Sequence, residues 1–467
     1  MRSRVTIFVT LLAVLAGAPV AQPALGGQAQ TAAPIASLDP RIVDARADAW
    51  AKSFADAGDF SGVVLIAQGD KVLVQRAYGK ADPQLGTPNR IDTRFRTASI
   101  SKTFTAAAIE ILVAQGKLKL TDTLGQFVTG VPNGDTITVE QLLLHESGVG
   151  VIEGGDAARD CLPSDELLGR LRSAKPLIAP GKNSQYSNEG YFLLSLIAER
   201  VSGGSFDNFL RQNIFAPLRM ENSGLACRDL PTGRNAFGSV ASADDGGPIA
   251  LPFNESAEPG AGSAYATAAD LLVWLKAIDT NAQFQNAKWK YPYGWGKRNY
   301  SGKYLIEQSG QLEGFNSHMA LYPTEHIYAV VLSNIQSGFS TRIPKDLETV
   351  LFGGTPSKPP VIQALTLGER SMKQYDGKFR SSSMPYTQTL AIREGHLAMH
   401  WNDYPFWRTL TMVEGDTFFA RCEYAYVHFA RNKEGYVSSM TWTWPAGGAM
   451  TFNKLDVGPP PPPQVGE

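Results

Sequence analysis

The chain has 467 residues, 43% of them hydrophobic and 19% charged, with 43 Lys plus Arg set against 44 Asp plus Glu. That length points to more than one core, the apolar fraction excludes a disordered chain, and three cysteines are too few for a disulfide scaffold. A formal net charge of -1 creates no field that gathers polyanions, so nucleic acid is not an expected partner.

The first element is a targeting segment. Arg2 and Arg4 precede an apolar run at 5–15, small residues at 16–24 and a polar stretch at 28–31. This is the three-part form of a secretory signal peptide, read as residues 1–24. The apolar run is short for a bilayer span, so no transmembrane anchor is expected after cleavage, and the product is expected to be exported, periplasmic or secreted. Export permits disulfides. Cys161 and Cys227 sit in polar, loop-like surroundings and are the pair that would form one, leaving Cys422 in a strand-like run.

Residues 37–352 read as one domain of strands, then helices, then strands. Runs at 62–67 and 72–76 are joined through Gly69-Asp70, a hairpin signal. Helices are expected at 103–115, at 138–145 with Thr138 and Gln141 as a capping box, at 188–201 ending at Gly203-Gly204, and at 268–278 behind Thr267. Strands return at 304–308, 318–322 and 327–332. A Gly/Pro-rich break follows, read as a linker at 353–363. From 364 to 456 short aromatic runs alternate with Glu394-Gly395, Glu414-Gly415 and Glu434-Gly435, the texture of a small β-barrel or sandwich. Residues 457–467 are a proline-rich tail. The expected fold is an α/β (α+β) sandwich with a central, mostly antiparallel sheet and a helical subdomain, plus a small all-β barrel.

Three segments can carry chemistry. In Thr97-Ala98-Ser99-Ile100-Ser101-Lys102-Thr103 a helix starting near Ser99 would bring Lys102 to the same side. A serine hydroxyl is a poor nucleophile until a neighbour accepts its proton, and a lysine whose charge is disfavoured can help. Alone, Ser-x-x-Lys recurs by chance in a chain this long and fits an exposed helix turn. Tyr186 and Asn188 lie two apart just before a helix, where a phenol can act as base and an amide can orient a carbonyl or bond the lysine. The third segment, Glu307-Gln308-Ser309-Gly310-Gln311, is placed at a strand end. Its glycine lets a substrate backbone come close, and an N–H there would complete an oxyanion hole with that of Ser99.

With Gly116-Lys117-Leu118-Lys119-Leu120-Thr121-Asp122, Leu142-Leu143-Leu144-His145-Glu146-Ser147-Gly148 and Pro217-Leu218-Arg219-Met220 in the same order, the chain resembles the serine β-lactamase and penicillin-binding superfamily. The likeness is to the branch of class C β-lactamases, D-peptidases and family VIII esterases. It implies a serine β-lactamase/transpeptidase-like fold, Ser99 as nucleophile, Lys102 as its proton-relay partner and Tyr186 as general base and acid. Asn188, Gln308, Ser309, Gly310 and Gln311 would bind substrate, with the Gln311 N–H as second oxyanion donor and His145 structural. It implies no metal or other cofactor. Residues 364–456 resemble, more loosely, the lipocalin-like barrel appended to some members.

Gln308 departs from the family pattern, which has a cation or histidine there. A neutral amide lacks the charge-assisted bond that makes carboxylate recognition strong. The expected activity is therefore that of an exported serine hydrolase forming an acyl-enzyme with a small-molecule or peptide substrate. D-amino-acid-containing peptides come first, in D-aminopeptidase or D-Ala-D-Ala carboxypeptidase-like mode. A family VIII-type carboxylesterase, a class C-like β-lactamase and a non-catalytic penicillin-binding or scaffold protein are the alternatives. The sequence sets no oligomeric state.

Overall fold

The computed structural model describes residues 37–152, 162–226, 230–241, 248–251, 259–284, 293–300, 302–382, 387–401, 407–445 and 447–458. The signal segment, Cys161, Cys227 and residues 459–467 of the tail lie outside the described residues. None of the described helices is long and apolar enough to cross a membrane.

Helix α1 (Pro40–Asp56) starts where Asp39 accepts the Arg41 N–H and Pro40 supplies a first-turn residue with no N–H to satisfy. It buries Val43, Ala47, Trp50, Ala51 and Phe54 on one stripe. Strands β1 (Gly62–Gln68) and β2 (Lys71–Tyr78) then form the expected hairpin, with Gln68 opposite Lys71 and Gly69 at φ +55. After the helical middle come β3 (Gly296–Tyr300), β4 (Lys303–Leu312), β5 (Phe315–Tyr322) and β6 (Ile327–Ser333). The six strands pair in the order β3-β4-β5-β6-β1-β2, every neighbouring pair antiparallel.

Both faces of this sheet are covered, which is why β5 and β6 are buried along their whole length. Val63, Leu65, Met319 and Val330 pack with helices α2 (Ser101–Ala114), α3 (Asn188–Ser202) and α4 (Ala268–Thr280). Val64, Ile66, Ala320 and Val331 pack on the other side with α1 and α5 (Ile343–Phe352). The short helix Val139–Leu143 carries the expected Thr138/Gln141 capping box, and α3 ends at Gly203 in the left-handed region.

Two expectations are corrected. Strand β4 runs on to Leu312 rather than ending near Gln308, because β5 keeps pairing with it through Leu312 opposite Phe315. Ser99 lies in a 3-10 turn, Ala98–Ile100, with the α-helix starting only at Ser101.

Eight further strands, β7 (Gly377–Ser381), β8 (Thr387–Arg393), β9 (His396–Trp401), β10 (Arg408–Glu414), β11 (Thr417–Ala420), β12 (Ala425–Arg431), β13 (Val437–Thr443) and β14 (Ala449–Lys454), form a closed barrel. Closure comes from β7 pairing with β14. Phe379, Met399, Phe418, Phe429 and Phe452 pack inside with Trp442, whose indole donates to Gln388 at 3.1 Å. Strand β9 carries His396 and His400, the latter edge-on to Trp407.

The barrel is joined to the sheet domain by buried ion pairs. Arg408 binds both carboxylate oxygens of Glu313, in the turn between β4 and β5, at 3.0 and 2.8 Å. Arg421 binds Asp59 with two nitrogens, Nε and Nη2, at 2.7 Å each, where Arg408 uses Nη2 alone. Arg408 and Glu313 are only 6% and 7% exposed, so removing one partner strands a charge in low dielectric. Arg408→Met is expected to lower unfolding stability by about 3–5 kcal/mol, while Arg408→Met with Glu313→Met recovers most of it. Urea melts of the two variants check this.

Candidate active site

The site is built where α2 meets the open edge of β4. Strand β3 pairs with β4 only as far as Glu307, so among the described residues no strand pairs with 308–312 on that side, and the segment packs against the Ser99 turn. Ala98, at φ +50, takes a left-handed conformation costly for a residue with a Cβ. It is held from both sides. Ser101 Oγ donates to the Ala98 carbonyl at 2.6 Å and accepts the Ala264 N–H at 2.9 Å, while Ser317 Oγ donates to the Thr97 carbonyl at 2.7 Å.

Lys102, 0% exposed, directs Nζ to three acceptors: Ser99 Oγ at 3.2 Å, Asn188 Oδ1 at 2.8 Å and the Ala261 carbonyl at 2.8 Å. Three N–H bonds are what an ammonium offers. Tyr186 donates from its phenol to Ser99 Oγ at 2.7 Å, and Lys102 Nζ sits 4.7 Å from the centre of its ring. Ser99, Lys102, Tyr186 and Asn188 therefore converge, brought from two helices and the loop between Gly181 and Ser187. That loop is fixed by backbone bonds from Gly181 to Glu146 at 2.8 Å and from Gln185 to His145 at 2.7 Å.

His145 does more than shape its turn. Its ring stacks on Tyr186 with centroids 4.6 Å apart, and Nδ1 accepts the Ser187 N–H at 3.0 Å. Burial, then the neighbouring Lys102 charge, pushes its imidazolium down to about 3, so the ring is neutral at neutral pH. The Ala261 carbonyl carried no signal in the sequence, because a backbone acceptor has no residue type. The His145 stack was legible only as a turn motif.

On β4, Gln308 donates its amide N–H to the Ser99 carbonyl at 3.2 Å, which leaves the amide oxygen as the acceptor end of that side chain. Ser309 is exposed and bonded through Oγ to His318 Nδ1 at 2.9 Å. Gly310 is buried against the nucleophile turn, where a Cβ would run into the Thr97 carbonyl oxygen and the Ser317 hydroxyl. Gln311 is partly exposed on the same strand. Gly310→Ala must therefore push β4 away from Ser99. It is expected to lower kcat/KM about 100-fold with the fold retained, as a shift of about 1 Å does at a reacting centre. Steady-state kinetics beside a circular dichroism spectrum check it.

Among the described residues no group of three or more His, Cys, Asp or Glu is placed to hold a metal ion. The chemistry available is proton transfer around a serine hydroxyl, with a buried positive charge beside it.

The family model described as Beta-lactamase matches residues 47–350. Esterase EstB of Burkholderia gladioli is 31% identical over 288 residues, covering 53% of this chain and 73% of that protein. The crystal structure of a penicillin binding protein from Bacillus halodurans has 27% identity and a TM-score of 0.54, covering 61% of this chain and 94% of that one. D-amino acid amidase from Ochrobactrum anthropi SV3, complexed with D-phenylalanine, has 23% identity and a TM-score of 0.54, covering 62% and 92%.

Proposed function

Starting from a chain that belongs to the beta-lactamase family and is a serine hydrolase of that superfamily, we propose that it hydrolyses amide bonds through an acyl-enzyme on Ser99. The substrates proposed are D-amino-acid-containing peptides or amides with a free amino group. The observation that carries the catalytic part is the convergence of Tyr186 Oη at 2.7 Å and Lys102 Nζ at 3.2 Å on one serine oxygen. In this reading Tyr186 acts as the phenolate, having first given up the proton it donates in the resting site; it accepts the Ser99 hydroxyl proton as Oγ attacks the carbonyl, and the phenol so formed passes that proton to the leaving amine. The Lys102 charge offsets negative charge developing on Ser99 Oγ, and Asn188 holds the ammonium in place. The N–H groups of Ser99 and Gln311 take the oxyanion. Water then attacks the ester, Tyr186 again moving the proton.

The substrate class rests on Gln308. One of its two amide N–H donors is engaged with the Ser99 carbonyl, its oxygen is an acceptor, and it bears no charge, so it gives a carboxylate no charge-assisted bond while it can accept from an ammonium or amide N–H. Aminopeptidase or amidase action fits better than carboxypeptidase or β-lactamase action. The likeness to D-amino acid amidase supports the D configuration, and the relation to EstB supports ester cleavage as the second reading.

The test is a panel of D- and L-amino-acid p-nitroanilides with free amines, a D-Ala-D-Ala peptide, a chromogenic cephalosporin and a p-nitrophenyl ester. The expected result is a kcat/KM for the free-amine D-substrates at least about tenfold above any carboxylate-bearing one, the scale of one hydrogen bond. Equal or faster turnover of the carboxylate-bearing substrates overturns the substrate assignment. A faster ester than amide favours the second reading.

A further inference from the structure

Behind the cleft edge of β4 lies a polar chain that the acyl-transfer machinery does not use. Ser309, exposed at the open edge, is bonded through Oγ to Nδ1 of His318 at 2.9 Å. His318 stands opposite it on β5 and is 1% exposed. The far nitrogen of that ring, Nε2, faces Glu307 Oε2 at 3.7 Å, and neither atom has a hydrogen-bond partner among the described residues. Glu307, itself 5% exposed, receives Arg298 Nε at 2.5 Å on its other oxygen. Four polar side chains thus run from the cleft edge of β4 to β3 across an otherwise apolar sheet face that includes Leu305, Ala320 and Tyr322.

The polarity of this chain follows from its far end. Burial raises the Glu307 carboxyl on balance, with the Arg298 guanidinium opposing it; the geometry gives the polarity, since Arg298 Nε at 2.5 Å is the short contact of a guanidinium with a carboxylate, which only accepts. Burial, then the Arg298 charge, pushes the His318 imidazolium down to about 3, so the ring carries one proton. A proton on Nε2 points at the carboxylate, whereas a bare Nε2 would set a lone pair against it. Nε2–H is therefore the favoured tautomer, Nδ1 is the acceptor, and the Ser309 hydroxyl is the donor.

We propose that His318 is a specificity-determining positioning residue: by accepting the hydrogen bond of the Ser309 hydroxyl at Nδ1 it leaves Ser309 Oγ an acceptor at the cleft edge, selecting substrates that bring an ammonium or amide N–H there and disfavouring a carboxylate. It rests on the substrate reading given above for Gln308 and extends it, because Gln308 then offers an acceptor on the Ser99 side of β4 and Ser309 a second one at the exposed edge of the strand. Neither residue need bear a charge.

The test measures kcat/KM for a free-amine D-amino-acid p-nitroanilide, a carboxylate-bearing D-Ala-D-Ala peptide and p-nitrophenyl acetate in the wild type, His318→Leu and Glu307→Gln. His318→Leu removes the acceptor and frees the Ser309 proton for the cleft. Glu307→Gln keeps the volume but can offer N–H to Nε2, moving the ring proton to Nδ1 with the same consequence for Ser309. In both variants the amine-to-carboxylate ratio is expected to fall about tenfold, mostly through KM. p-Nitrophenyl acetate, which bears neither group, should stay within about twofold. Nitrogen-15 spectra of the wild type should show His318 as the neutral Nε2–H tautomer. A Nδ1–H tautomer, or an unchanged ratio in a folded variant, overturns the proposal. A wild type without amine preference removes the substrate reading itself, so the two failures are distinct.

Discussion

Ser99→Ala is expected to cut turnover of every substrate by about 10⁴-fold or more while leaving the fold intact. The side chain is partly exposed in the 3-10 turn before α2 and carries little packing, since the turn is held by its neighbours Thr97, Ala98 and Ser101. Its oxygen is the point on which Tyr186 and Lys102 converge, so alanine leaves both without the atom they serve. The binding surface of β4 survives, and KM should move far less than kcat. Retained turnover in Ser99→Ala would show that another group attacks the substrate.

Lys102→Met is the second large effect, an expected loss of about 10³-fold in kcat, within the span of a positioned proton-transfer group. Methionine keeps the length and apolar stem of the lysine but removes the donor that ties Ser99, Asn188 and the Ala261 carbonyl together. Tyr186→Phe should cost a similar factor. The double variant should be little worse than either single one, because the two side chains serve one serine oxygen. Multiplied losses in the double variant would mean that Lys102 and Tyr186 work independently.

Much of the catalytic residue set was legible because short spacings, each weak alone, occur together in the order of the superfamily the chain resembles. Lys102 follows Ser99 by three positions, one turn of helix, and Asn188 follows Tyr186 by two across the extended Ser187, so each pair points to one side. Hairpins were legible where two-residue turns demand a left-handed backbone, as at Gly69 and at Glu394-Gly395. Helices α1 and α5 went unseen although Pro40 and Pro344 mark their first turns; their apolar stripes are interrupted by many charges, and only the sheet reveals what they cover. Barrel and sandwich could not be told apart in sequence, since closure rests on β7 meeting β14 about seventy residues later. For the same reason His318 and Glu307 read as ordinary strand residues. Their significance comes from the pairing of β4 with β5 and β3, a register that no local pattern displays.

The central claim is a covalent acyl group on Ser99. Mixing the protein with a D-amino-acid p-nitrophenyl ester, quenching in acid within the first turnover and sequencing the peptides by mass spectrometry tests it most directly. The expected result is a mass increase equal to the acyl group on Ser99, absent from Ser99→Ala and more abundant in a variant whose deacylation is slowed. Turnover of that ester with no acyl mass on Ser99 at any quench time, or with the adduct on another residue, would contradict it.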